Sequence, residues 1–178
     1  MTKQNGYVFT GGPGAGKTSV ITALQQSGYP VVPESGRQII QEQMAGGGQA
    51  LPWVDKVLFR DRMLSTALQD FESVTAGDRP VFFDRGIPDL VGYSRLEQLP
   101  VPAALLQYAV QLRYNQRVFI FPPWEEIYQG DTERRQDYAT AVATYEAMTA
   151  AYTASGYELL VVPKTNIAGR VTFILERL

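Results

Sequence analysis

Residues 10–19 read TGGPGAGKTS. Four glycines and a proline in ten positions are poor material for a regular helix or strand, so this stretch must be a loop whose backbone is exposed to something. The spacing G-x-x-x-x-G-K-[ST] is met by Gly11, Gly16, Lys17 and Thr18. Glycines let such a loop curl until several backbone N–H groups point at one anion, and the helix that follows adds its positive end. The lysine can reach terminal phosphates, and the threonine hydroxyl can ligate a magnesium ion. The candidate phosphate-binding residues are therefore Gly11, Gly12, Pro13, Gly14, Ala15, Gly16, Lys17, Thr18 and Ser19. Lys17 is expected on the surface of the loop. The flanks fit: GYVFT (6–10) reads as a strand, and the next segment puts Val20, Ile21 and Leu24 on one helical face before a stop at Gly28.

The rest of the chain repeats that alternation. Short apolar runs at 30–33, 81–84, 117–121 and 157–162 read as strands. Helical patterns fall at 17–27, about 35–45, about 53–75, 87–97, 101–113, 134–154 and 167–177. In the sixth, Tyr138, Val142, Tyr145, Met148 and Tyr152 recur every three or four residues and are expected to form a core stripe. Alternating strands and helices predict a parallel sheet wound by right-handed crossovers, with ligands beyond the carboxyl ends of the strands. At 178 residues the chain suits one domain, 1–178, with room for a small mobile insert. The polar, Pro/Gly-punctuated segment 122–136 is the candidate lid.

Composition narrows the chemistry. The chain has no cysteine and no histidine, which excludes disulfides, Cys/His zinc sites, cysteine nucleophiles and a histidine base. A general base must then be a carboxylate or a weaker Tyr or Lys. A net charge of −2 with no basic stripe argues against nucleic acid as a partner. No run approaches membrane-spanning length and the N-terminus lacks a signal pattern, so a cytoplasmic protein, monomer or homodimer, is expected.

The strand ends carry the candidate site. VVPESGR places Glu34 after the second strand, as the base facing an acceptor or as a solvated first-turn acid. VFFDRGIPD places Asp84 and Arg85 after the third. An acid ending an apolar strand is costly unless paired or functional. Asp84 fits the magnesium shell, a proton acceptor, a helix cap or a partner for Arg85. Arg85 fits a substrate clamp or a carboxylate partner. In the lid, Asp131, Arg134 and Arg135 offer charge, and one arginine can close over a transferring phosphoryl group.

Taken together, GGPGAGKTS, VPESGRQII, VFFDRGIPDLVGY, GDTERRQDY and YELLVVPKTNIAGRVTFIL resemble a small P-loop (Walker A) ATPase or kinase-like domain, of the group named AAA-type that includes the ribosylnicotinamide-kinase-like domain. The resemblance covers nearly the whole chain. It implies an α/β fold in three layers, α/β/α, with a five-stranded parallel sheet of order 2-3-1-4-5 and a helical lid. It implies ATP and Mg²⁺, with Thr18 and Asp84 as the metal-side residues. In similar deoxynucleoside kinases a carboxylate after strand two is the base and an acid–Arg pair ends strand three, matching Glu34 and Asp84–Arg85. The same resemblance puts Arg134 among the catalytic residues, Arg135 on the nucleotide, and PKTN, with Lys164, against the adenine. Asp replaces the Glu of the acid–Arg pair. A hexameric motor is not expected, since the chain ends before any helical lid domain. Two functions fit: a kinase acting on a nucleoside, nucleotide or similar small acceptor, or an ATPase or switch acting on a protein partner. A kinase needs a concave acceptor pocket, expected from residues 34–62 and 85–95.

Overall fold

The computed structural model describes residues 1–75, 77–128 and 137–178. Five strands form one parallel sheet: β1 (Gly6–Gly11), β2 (Val31–Val32), β3 (Val81–Asp84), β4 (Arg117–Phe121) and β5 (Glu158–Val161), in spatial order β2-β3-β1-β4-β5. The expected order 2-3-1-4-5 is the one observed. Among the described residues seven α-helices connect or follow them: α1 (Lys17–Gln26), α2 (Ser35–Gly46), α3 (Lys56–Ser73), α4 (Ile87–Leu96), α5 (Ala103–Gln111), α6 (Tyr138–Ala154) and α7 (Ile167–Leu175).

Alternate strand residues face opposite helical layers, because the side-chain period of a strand is two. Tyr7, Phe9, Phe82, Phe119 and Phe121 turn toward α1 and α7, where they meet Val20, Ile21, Leu24 and Ile174. Val8, Phe83 and Val118 turn the other way, onto Ile87, Leu90, Val91, Ala151 and Tyr152 of α4 and α6. Phe9 is fully buried, and its ring lies 5.1 Å from Phe82, 5.6 Å from Phe119 and 5.4 Å from Phe121. Both faces of β1 are covered, which is why its sequence runs apolar without alternation.

The register places the chemistry. Phe9 pairs with Asp84 and Gly11 with Phe121, so β1, β3 and β4 all end beside the loop that begins at Gly11. Gly28, just past α1, adopts φ 86°, the left-handed conformation that stops the helix. The stripe on α6 is shifted from the expected one. Ala141, Thr144, Met148, Ala151 and Tyr152 are its buried residues, while Tyr138, Val142 and Tyr145 are half-buried. Small residues take the inner positions because α6 packs closely on α4, and a methyl on Gly92 of α4 would collide with Met148. Among the described residues no helix is long and apolar enough to cross a membrane.

Candidate active site at the strand ends

The loop between β1 and α1 is shaped from its own residues. Gly14 (φ 70°) and Gly16 (φ 76°) lie in the left-handed region, where a side chain would be strained. Neighbours close on it from three sides. A methyl at Gly12 would enter the Ala141 carbonyl on α6, and one at Gly14 would enter the Tyr128 ring. At Gly16 it would come within 2.6 Å of Arg170 Nη1 and 3.1 Å of Ile127. The loop wraps a cavity of about 450 Å³ that Gly12 through Ser19 line together with Arg37, Trp124, Thr165 and Asn166. Backbone amides at a helix start and a cavity of this size suit a polyphosphate.

Lys17 is not on the surface as expected. It is only 8% exposed, and its Nζ donates to Asp84 Oδ1 at 2.7 Å. The reason is the register, which sets Asp84 at the end of β3 beside Phe9, within reach of a lysine folding back from α1. Asp84 therefore neither caps α4, whose N-cap is Gly86, nor bonds Arg85 among the contacts described. Thr18 and Ser19 are exposed on the cavity side. Thr18 and Asp84 both carry side-chain oxygens at the loop, and one oxygen of Asp84 accepts from Lys17. Among the described residues no group of three or more acids is placed to hold a metal ion, so phosphate and water oxygens would have to supply most ligands of a magnesium ion bound there.

Glu34 and Arg85 meet. Arg85 Nε donates to Glu34 Oε1 at 3.3 Å, while Nη1 donates to Asp89 Oδ1 at 3.0 Å and to the Gly11 carbonyl at 3.2 Å. Glu34 is the N-cap of α2, with its side chain 16% exposed, so it faces the site rather than open solvent. Arg85 has φ 85°, a conformation costly for a residue with a side chain; its contacts to three elements hold it there. Burial works against its charge, but Glu34, Asp89 and Asp84 outweigh burial and raise its pKa.

Asp89 was not foreseen. It is 3% exposed and takes hydrogen bonds from Thr10 Oγ1 (2.6 Å), Arg85 Nη1, the Gly86 amide (2.9 Å) and Tyr152 OH (2.5 Å). It ties β1, the β3 end and α6 together under the site. Burial, then the Asp89 charge, pushes the Tyr152 hydroxyl well above the ordinary tyrosine range, so it stays a donor. Tyr152→Phe removes one buried, charge-assisted bond and is expected to lower stability by about 2 kcal/mol in urea titration. An unchanged midpoint would show that this bond carries no weight.

Arg170 was also missed. It is 2% exposed, donates from Nε to the Pro163 carbonyl (3.1 Å) and from Nη1 to the Ala15 carbonyl (2.9 Å), and lies 4.7 Å from the Trp124 ring. Its Nη2 has no hydrogen-bond partner among the described residues. It thus props the phosphate loop from below. Lys164 is exposed and does not line the cavity; Thr165, Asn166 and Ile167 next to it do. Asp131, Arg134 and Arg135 lie outside the described residues. The described part of the candidate lid, through Tyr128, packs on the loop at Gly14 and Gly16.

A second cavity, of about 280 Å³, opens beside the first. The expected ranges supply much of it, including Glu34, Trp53, Phe59, Arg85 and Tyr93, but α6 adds Thr140, Thr144 and Met148, which those ranges left out. The two cavities share Pro13, Glu34 and Arg85.

A family model described as an AAA domain matches residues 6–170, nearly the whole chain and all five strands. The chain belongs to the AAA domain family. Among solved structures, this family member resembles M. mycoides deoxyadenosine kinase with dCMP and dCDP (TM-score 0.68, 14% identity, covering 97% of each chain). It also resembles thymidylate kinase from Ehrlichia chaffeensis (0.59, 14%, covering 97% of this chain and 96% of that one). A third likeness is shikimate kinase from Acinetobacter baumannii with shikimate (0.54, 15%, covering 97% and 91%). At these identities the likeness establishes the P-loop kinase-like fold. No curated protein matches the chain.

Proposed function

We propose that this AAA domain protein is a phosphotransferase that moves the γ-phosphate of ATP to a small-molecule hydroxyl or phosphate acceptor. The observation that carries the reading is the meeting of the two cavities at Pro13, Glu34 and Arg85. A nucleotide on the phosphate loop would present its terminal phosphate to whatever fills the second cavity. A hydrolase needs no such second cavity. The kinase-like fold of the structural neighbours supports the same reading.

The residues divide the work. The backbone N–H groups of Gly12 and of Gly14 through Ser19 bind phosphate oxygens, Pro13 having none to donate, and Lys17 carries positive charge toward the transferring group. Thr18 and Asp84 would hold Mg²⁺, which supplies charge neutralisation at the phosphates when bound. Glu34 lies where it can take the acceptor's proton, and Arg85 holds Glu34 in place. For a hydroxyl acceptor, its oxygen forms a bond to the γ-phosphorus as the bond to the β–γ bridging oxygen breaks. ADP leaves with that electron pair, and the proton goes to Glu34. Arg134 or Arg135 closes over the phosphates from the lid 122–136, and Arg135 and Lys164 complete the nucleotide contacts. The chain acts as a single domain, monomer or homodimer, in the cytoplasm.

The test is a screen with γ-labelled ATP and Mg²⁺ against nucleosides, nucleotides and antibiotic-like alcohols. Label appearing on an acceptor supports the phosphotransferase. Release of inorganic phosphate alone, stimulated by a protein partner, would replace it with the ATPase or switch.

A further inference from the structure

We propose that Arg170 is a positioning residue that couples the nucleobase wall of the phosphate-loop cavity to the loop itself. This rests on the reading of that cavity as the nucleotide site of a phosphotransferase. Gly12 through Ser19 form one wall of it, and Trp124, Thr165 and Asn166 stand on another. Arg170 reaches both. Its Nη1 donates to the Ala15 carbonyl of the loop at 2.9 Å. Its Nε donates to the Pro163 carbonyl at 3.1 Å, two residues before Thr165. Its guanidinium carbon lies over the Trp124 ring, 4.7 Å from the centre. A planar, forked cation can donate to two carbonyls while it packs on a ring, which the compact ammonium of lysine cannot do.

Both supports of this bridge are themselves held. Asn166 caps α7, its Oδ1 accepting from the Gly169 amide at 2.8 Å, so the turn that carries Arg170 is fixed at the wall. Trp124 Nε1 donates to Glu126 Oε2 at 3.0 Å, which sets one edge of the ring. At the other end, Ala15 is buried and its carbonyl is turned toward Arg170. The peptide that follows is planar and trans, so its C=O and N–H point opposite ways. Pinning the Ala15 carbonyl therefore turns the Gly16 N–H away from Arg170. A peptide next to glycine rotates at little cost, so the direction of this N–H has to be set from outside the loop. Arg170 sets it. A base resting against Trp124 would steady the ring, the ring would steady the guanidinium, and the guanidinium would steady the amide offered to a phosphate.

The test needs binding alone, with ADP and inorganic pyrophosphate titrated by calorimetry in chelator. Pyrophosphate has no base, so a change at Trp124 can alter its affinity only through the protein. Trp124→Leu is expected to weaken pyrophosphate about threefold, the scale of one cation–π contact, and ADP by more. Arg170→Lys is expected to weaken both ligands about fivefold, the scale of one hydrogen bond. The two changes together should weaken pyrophosphate by about fivefold rather than the roughly fifteenfold of independent effects, because both break one chain of contacts. A merely structural role would lower the melting temperature of the variants and leave pyrophosphate binding unchanged. That result, or effects that multiply, overturns the proposal. Should Arg170→Lys fail to fold, Trp124→Leu decides, since Trp124 is only half-buried. Unchanged pyrophosphate affinity beside weakened ADP would make the tryptophan a shelf for the base and overturn the coupling, leaving the phosphotransferase standing. Binding of neither ligand by wild type would remove the nucleotide site, and the coupling and the phosphotransferase with it.

Discussion

Lys17→Ala is expected to cut ATP turnover by about 10³-fold, the range in which removal of a single charge-stabilising donor falls. The effect should be on turnover, because Lys17 is the cation that α1 brings to the phosphate loop. The structure adds a condition, since Lys17 is buried against Asp84 rather than free on the surface. Removing it leaves a carboxylate without its partner, so some loss of stability accompanies the loss of activity. The double change Lys17→Ala/Asp84→Asn removes both charges and should regain most of the melting temperature while staying inactive. Wild-type turnover in Lys17→Ala would reject the phosphate site. Recovery of activity in the double variant would show that the single change had acted through folding alone.

Glu34→Gln and Asp84→Asn are expected to fail in different ways. Glu34 sits on the wall shared by both cavities, so Glu34→Gln should suppress transfer by about 10²–10⁴-fold, the usual contribution of a general base. It should leave basal hydrolysis and ADP binding nearly intact. Asp84 touches the loop lysine rather than the second cavity, so Asp84→Asn should depress transfer and hydrolysis alike. The ratio of transfer to hydrolysis in each variant is the measurement. Equal losses in both reactions for Glu34→Gln would remove it from the role of base.

Much of this was readable from the chain. All five strands fall where apolar runs end in polar residues, and β3 and β4 match to the residue. The phosphate loop was legible because glycine spacing encodes backbone geometry directly. Glu34 and Arg85 were legible because parallel strands deliver their C-terminal neighbours to one edge. Asp89 was not, since it lies within a helix, and periodicity says only which face it shares. Its one signal was an acid in an otherwise apolar first turn, IPDLV. Arg170 offered a similar cue, a lone cation inside IAGRVTFIL, but its target is a loop more than a hundred residues earlier. The phase of α6 was misread because tyrosine looks more hydrophobic than alanine, whereas close helix packing rewards the smaller residue.

The Lys17–Asp84 pair makes nucleotide binding an exchange of partners. The lysine's charge is met by a carboxylate 2.7 Å away. An incoming polyphosphate must compete for it, so the measured affinity is the difference between two attachments rather than the strength of one. Affinity and turnover then separate. With no divalent cation present, Asp84→Asn should bind ADP about five- to tenfold more tightly than wild type, because the competitor and its repulsion of phosphate are both gone. The same variant turns over more slowly once metal is restored. Calorimetric titration of ADP in chelator gives the first number, and weaker binding by Asp84→Asn would mean that the acid orders Lys17 for the phosphates instead of competing for it. On the proposed reading, a residue that holds its neighbour back would set how readily the nucleotide leaves as well as how fast it reacts.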